Sequence, residues 1–524
     1  MNLHWLDITT LAIYMASLIA MGFYFSKRNK STEEYFVGGR SYNGFIIGLS
    51  MIGTSISSVT FLAFPADAFK TAYLRFLPNF TLPIAILLAA YMFLPFFRRT
   101  KIISAYEYLE ERFSPSIRVY GAITFIIGQL VRIALILFLV SLLMHEITGL
   151  GATESILLAG VFVSIYTIIG GIDAVIWTDV LQTIILVLGG IVILAIIVFA
   201  LPGGFSQIFE IANADNKFAI AELTNGRLNP VTWAFSLSDK TGLMMLFVGL
   251  TVWLQEYGTN QNVVQRYAAA KSIKEARKGL FTIGTLNIPI WGFYMFLGTA
   301  LYAYFQVFPT VEAQEMLTGA KKAEQIMPFF IINYMPPGVA GIVISAALAA
   351  AMSSLDSSIN AISTVTVNDI YRRHWVKDAD DKHYLRVAWI AASIASVFMI
   401  IGAIILAETE TKTLQDAATI LSSVVMGGVF GMYLLGFVSQ KANSSAVWIG
   451  ILITFIFSLW NVLSKQGLLP ESLSVPFDLY YTGLIGHIIL FATAFVASVL
   501  FFGNKEKKDL TNLTVWTQDG KPIE

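Results

Sequence analysis

Thirteen apolar stretches, each about as long as a bilayer is thick, occupy most of this chain. They lie at roughly 7–26, 43–66, 79–97, 118–147, 153–170, 175–201, 242–265, 280–305, 336–366, 386–406, 415–437, 445–463 and 478–502, and are numbered here as spans 1 to 13. Hydrocarbon offers backbone amides no water, so each segment must close its own hydrogen bonds. Helices do this without needing a partner strand. The rest of the composition fits a polytopic helical membrane protein. Of 524 residues, 56% are apolar and only 13% are charged, about half the charged share usual in soluble domains. An ordinary soluble enzyme is thereby excluded. The 34 Lys+Arg balance the 34 Asp+Glu, which leaves no basic excess to hold a nucleic acid. With no cysteine, disulfides, thiolate nucleophiles and Cys-ligated metals are excluded as well.

Charge placement sets the expected orientation. Span 1 does not read as a cleaved signal: MNLHWLD lacks a basic region, and KRNK stands where a small-residue cleavage site belongs. With the N-terminus outside and all thirteen spans crossing, 24 Lys+Arg fall inside, nine fall outside, and Arg132 alone lies within a span. This agrees with the positive-inside rule. The expected architecture is one transmembrane domain over 1–503, followed by a polar, mobile cytoplasmic tail at 504–524. The long loops, about 202–241 and 306–335, are expected outside.

Four spans break the rule that an anchor is continuous and apolar. Span 2 carries Gly53-Thr54-Ser55-Ile56-Ser57-Ser58 near mid-depth. Unwound backbone there lines a cavity and frees carbonyls for a cation; a straight helix with back-bonded hydroxyls is the plainer alternative. In span 9, Ala350, Ser353, Ser354 and Ser357 share one helical face. The small residues before them (345–351) suit close helix packing, but Asp356 does not. A carboxylate at that depth costs roughly 2.5–3.5 kcal/mol and needs a cation or a cavity. Span 6 holds Asp179 deep and Asp173 near its inner end, where solvent is expected. Span 4 holds Arg132 about fifteen residues from either end, too deep to snorkel. Either an anionic ligand or an internal acid must answer it. Span 7 carries a polar patch: Gln255, Glu256, Asn260 and Gln261. No hydrolase or nucleotide-binding motif is present. An aspartate pair of an intramembrane protease is weighed and disfavoured, because its usual sequence contexts are missing.

The stretches STEEYFVGGR (31–40), GTSISSVTFLAFPADAF (53–69), ISAYEYLEERF (103–113), GGIDAVIWTDVLQ (170–182), NQNVVQRYAAAKSIKEARKG (260–279) and AAAMSSLDSSINAISTVTVNDIY (349–371) resemble the sodium:solute symporter family. Among its members, the sialic acid transporters of bacteria look most similar. The resemblance implies a LeuT-type fold with two inverted five-helix repeats, about 43–201 and 242–437. It also implies a sodium site made by the carbonyls of Gly53, Ile56 and Ala350 and the hydroxyls of Ser353 and Ser354. A possible second sodium site takes Asp179, Ser353, Asp356 and Ser357, with Asp356 standing where a hydroxyl is expected. Substrate would meet Ser55, Ser57, Thr60, Asn79 and Arg132. The expected protein is thus not an enzyme. It is an inner-membrane importer of a sugar acid, most readily sialic acid, coupled to one or two Na⁺, with no organic cofactor and no obligate protein partner. The alternative is a neutral sugar such as glucose or galactose, with Arg132 held by Glu256 or Asp67.

Overall fold

The computed structural model describes residues 4–99, 101–224, 226–408, 427–502 and 508–518. Among these, nine helices are long and apolar enough to cross a membrane, or ten when the bent pair Gly44–Ser55 and Val59–Lys70 is one span. The first half of span 11 lies outside the described residues; its second half is the helix Val429–Val438.

The helix Ala152–Ala200 is not one rod. At 1.5 Å per residue its 49 residues would reach about 74 Å, more than twice the hydrocarbon thickness. Gly171 breaks it with φ 62° and ψ −162°. Tyr166 and Thr178 flank that glycine and donate to the same Asp356 oxygen, at 3.1 and 3.2 Å. In a continuous helix their backbones would stand about 18 Å apart. The chain therefore folds back at Gly171, as the boundary between spans 5 and 6 requires. A side chain at Gly171 would also meet the Tyr35 ring.

The helix Val339–Trp375 runs through the centre. Nine-tenths of its apolar window is buried, against one third for Asp381–Glu408. Small residues make that position possible: a Cβ on Gly189 would come within 2.5 Å of the Ala346 Cβ, so these helices touch almost backbone to backbone. Its N-terminus is capped from span 1. Asp7, buried, accepts the Gly338 and Gly341 N–H groups at 2.7 Å each, placing a carboxylate at the positive end of the helix.

Two sequence expectations change. Asp173 is buried, not solvated, and accepts the Tyr42 hydroxyl at 2.6 Å. The described part of the tail, 508–518, is docked rather than mobile. Lys508 donates to the Glu110 and Phe113 carbonyls, Tyr108 to the Leu513 carbonyl, and Val515 N–H to Phe437. A polar segment can dock this way because each of these bonds ends on a backbone carbonyl, while Leu513 and Val515 pack against the apolar core.

Candidate functional site

Span 2 is interrupted where its glycine and serines cluster. The helix Gly44–Ser55 ends, Ile56 turns extended (φ −95°, ψ 102°), and a π-helical turn Val59–Ala63 restarts the chain. The two arms diverge by 62°. Such a break leaves carbonyls without intrahelical donors, and the central helix supplies substitutes. Ser353 Oγ donates to the Gly53 carbonyl at 2.8 Å and lies 3.3 Å from that of Ala350. Ser354 Oγ donates to Thr54 at 3.2 Å. Gly53, Ala350, Ser353 and Ser354 are thus brought together, beside the extended Ile56. A cluster of carbonyl and hydroxyl oxygens on an interrupted helix suits a hard monovalent cation.

Asp179 and Ser357 converge on a residue that sequence reasoning missed. Arg266, 1% exposed, donates to Asp179 Oδ2 at 2.7 Å, Ser357 Oγ at 2.7 Å, Ser50 Oγ at 2.8 Å and the Asn262 carbonyl at 2.7 Å. Ser50 also donates to Asp179 at 2.6 Å. The guanidinium makes four hydrogen bonds, to a carboxylate and three neutral oxygens, which help offset the desolvation of a buried ion pair. Arg266 belongs to the core, not to the inner-loop cations with which the charge count grouped it. Asp356 makes no hydrogen bond to this cluster and accepts instead from Tyr166 and Thr178.

Beyond the break a cavity of about 820 Å³ runs to the end of the molecule that carries the 202–241 loop. Its deep wall is Ser57, Gln129, Arg132, Gln255, Glu256 and Asn260; its mouth includes Lys70, Arg75, Lys240, Lys321 and Lys322. Ligand cavities fall in this size range. Of the five expected substrate residues, Ser57 and Arg132 line it. Ser55, Thr60 and Asn79 do not. Ser55 Oγ is back-bonded to the Met51 carbonyl at 2.8 Å and stands 3.5 Å from the Tyr257 hydroxyl. Thr60 and Asn79 are buried away from the cavity.

Arg132 makes no hydrogen bond or ion pair among the described residues. The two acids considered as its partners are engaged elsewhere: Glu256 accepts the Asn260 amide at 2.7 Å, and Asp67 lies 3.6 Å from Arg75. Gln129, one turn before Arg132, was also missed. It is buried on the cavity floor and accepts from Ser358 at 2.9 Å and Asn262 at 3.4 Å. The spacing in GQLVR, two polar residues at i and i+3 in an apolar span, was the available signal.

The cavity is closed at its other end by the short helix Gln261–Ala269, whose residues are all buried. Gln261 bonds the Ile103 carbonyl and the Ala105 N–H. Gln265 donates to Phe36, Asn360 and Thr364. Arg98 reaches the carbonyls of Tyr267, Ala268 and Ala270. An ion-pair cluster lies beyond: Arg118 with Asp369 at 2.7 Å and Glu110 at 2.8 Å, and Arg373 with Glu110 at 2.5 Å. One open end, one latched end and a polar floor between them describe a transport pathway caught on one side.

The profile of the sodium:solute symporter family matches residues 35–454. The chain belongs to this family. Its members are transporters, so the protein is an integral membrane symporter coupled to Na⁺, not an enzyme. The chain is 33% identical to the sodium/sialic acid symporter SiaT of Proteus mirabilis, over 97% of this chain and 98% of that protein. It is 30% identical to the sodium/sialic acid symporter NanT of Aliivibrio fischeri, over 97% and 96%. A solved Na⁺-coupled sialic acid symporter, substrate-bound and outward-open, superposes with a TM-score of 0.86 at 31% identity, covering 96% of this chain and 99% of that one. Within this symporter the polar patch of span 7 has a clear place. Asn260 ends the helix Gly242–Thr259 and opens Gln261–Ala269, so the first residues of the patch line the cavity and the next ones latch its floor.

Proposed function

We propose that this symporter imports sialic acid with Na⁺ by alternating access, and that it does so in an inner membrane with its N-terminus outside and C-terminus in the cytoplasm. The observation that carries the substrate class is Arg132: a cation on the deep wall of the cavity, with neither Glu256 nor Asp67 paired to it. A planar guanidinium facing a cavity matches a sugar carboxylate bidentately. Gln129, Ser57 and Asn260 offer amide and hydroxyl groups to the remaining oxygens. Full-length likeness to two sialic acid symporters supports the same ligand. The neutral-sugar reading needed an internal acid on Arg132 and loses its support.

In this reading the spans number thirteen, with Ala152–Ala200 counted as two and the broken helix at Asn260 as one. The repeats about 43–201 and 242–437 are inverted copies of a LeuT-type fold. Each then opens on an interrupted helix, at 56–58 and at Asn260. Sodium binds the Gly53, Ile56 and Ala350 carbonyls and the Ser353 and Ser354 hydroxyls. It replaces hydrogen bonds that already join the two helices, and so holds the cavity floor in shape for the sugar. The core then rocks, the latch at 261–269 opens, and both ligands leave inward. One Na⁺ accompanying the sialate anion moves no net charge, so only its gradient drives uptake, about 1.4 kcal/mol if tenfold; each further Na⁺ adds about 2.3 kcal/mol at about 100 mV and about another 1.4. The test is a thermal-shift panel of N-acetylneuraminate, glucose and galactose with and without Na⁺. N-acetylneuraminate should stabilise, and only with Na⁺. Na⁺-dependent stabilisation by glucose or galactose instead would refute the sialate reading.

A further inference from the structure

One wall of the cavity comes from span 13. His487, on the helix Thr482–Ala497, is buried and lines the cavity. Its ring is held from three sides. A Cβ on Gly431 would come within 2.3 Å of the His487 carbonyl, so the helix Val429–Val438 lies almost backbone to backbone against span 13. The Phe430 ring meets the imidazole edge-on, with centroids 5.7 Å apart. Gly428, whose φ of 91° suits a residue without a Cβ, donates its N–H to Nδ1 at 3.0 Å. Across the ring, Nε2 lies 3.0 Å from Gln255 Oε1. These two contacts fix the chemistry of the pair. A backbone N–H can only donate, so Nδ1 is the bare nitrogen and the proton of the neutral ring sits on Nε2. Nε2–H then donates, and Gln255 must answer with its oxygen. The amide is thereby locked, with Oε1 on the ring and its NH₂ end turned the other way. Gln255 stands on the same deep wall as Arg132. Turned about, it would set a second acceptor oxygen beside the Glu256 carboxylate, on a wall that faces an anion.

We propose that His487 is a positioning residue for the substrate: by fixing the Gln255 amide it makes Gln255 a hydrogen-bond donor to an acceptor oxygen of the bound sugar. The two N–H groups of that amide can serve a sugar oxygen and a protein neighbour together. His487 acts through Gln255 and leaves the Na⁺ oxygens at the span 2 break untouched. It selects for a ligand that carries a carboxylate, carbonyl or hydroxyl oxygen at this point of the wall. The choice of sialate as that ligand rests on the reading above.

A double-variant cycle tests this, with the full chain in proteoliposomes and radiolabelled N-acetylneuraminate as the probe. His487→Leu and Gln255→Leu should each raise the KM roughly three- to tenfold, the worth of one hydrogen bond, with kcat unchanged. The double variant should rise no further than either alone. His487→Gln, whose amide still donates to Oε1, should stay within about twofold of the wild type. ²²Na⁺ binding without sugar should be the same in all of them. Losses that multiply in the double variant overturn the proposal, as does an unchanged KM in His487→Leu or a His487→Gln as impaired as His487→Leu. Should the leucine variants fail to fold, Gln255→Glu serves instead. It accepts from His487 as glutamine does but has no N–H for the sugar, so an unchanged KM there overturns the proposal. A wild type that takes up galactose and not sialate refutes the sialate reading alone. The same cycle is then read with galactose, where multiplying losses still overturn the role of His487.

Discussion

Replacing Arg132 with Gln removes the cation from the cavity wall and leaves a shorter, neutral polar side chain. Arg132 is partly exposed to an open cavity, so its worth to a carboxylate lies below that of a fully desolvated pair. A hydrogen bond to a charged group contributes about 1.5–3 kcal/mol. That corresponds to roughly 10- to 150-fold in the KM for sialate, with the lower half of the range expected here. Arg132 touches none of the oxygens at the span 2 break, so Na⁺ binding without sugar should be unchanged. Arg132→Lys should recover only part of the loss, because an ammonium cannot make the forked pair. The assay is radiolabelled sialate uptake into proteoliposomes at fixed Na⁺, with ²²Na⁺ binding on the same preparation. A sialate KM within twofold of wild type would refute the carboxylate clamp. So would a loss accompanied by an equal loss of Na⁺ affinity, which would show that the substitution had damaged the core.

Asp179→Asn and Arg266→Met should each lower thermal stability steeply, by about 3–5 kcal/mol, since each strands a buried partner; the double variant should regain much of it, read as Tm in detergent. Lys321→Glu with Lys322→Glu reverses two charges at the cavity mouth, and the sialate KM should rise about two- to fivefold at low ionic strength. That difference should collapse when choline chloride is added at constant Na⁺, because mouth charges act through screened solvent. Deleting 508–518 should raise amide exchange at 107–113, where the tail covers the Glu110 and Phe113 carbonyls, with little change in the 339–365 helix. Burial alone would push the Glu110 carboxyl up, but Arg373 and Arg118 outweigh it and hold it below the usual range. Glu110 therefore contributes stability at neutral pH that is lost as pH falls through its folded value; the Glu110→Gln variant should show a weaker dependence of Tm on pH below about 4.5.

What was legible in the sequence depended on whether a residue violated its surroundings. Arg132 and Asp356 stand in apolar runs, where a charge is conspicuous because it is costly, and the structure gives both of them special places. The break at Ile56 was legible for the same reason: glycine and serine weaken a helix that hydrocarbon should otherwise keep intact. Arg266 violates nothing. It closes an apolar run just before KSIKEARKG, and composition cannot tell such a residue from the loop lysines that follow. Only the bend at Asn260 turns its helix back into the core, and that bend depends on tertiary partners. Asn79 was named from the family resemblance, not from its surroundings. It is buried on the 3₁₀ segment Leu74–Thr81, of which Leu74 and Arg75 line the cavity. The consequence for the ion sites is specific. The family resemblance placed Asp179 and Asp356 in one possible second sodium site. In the structure Asp179 pairs with Arg266, while Asp356 accepts from Tyr166 and Thr178.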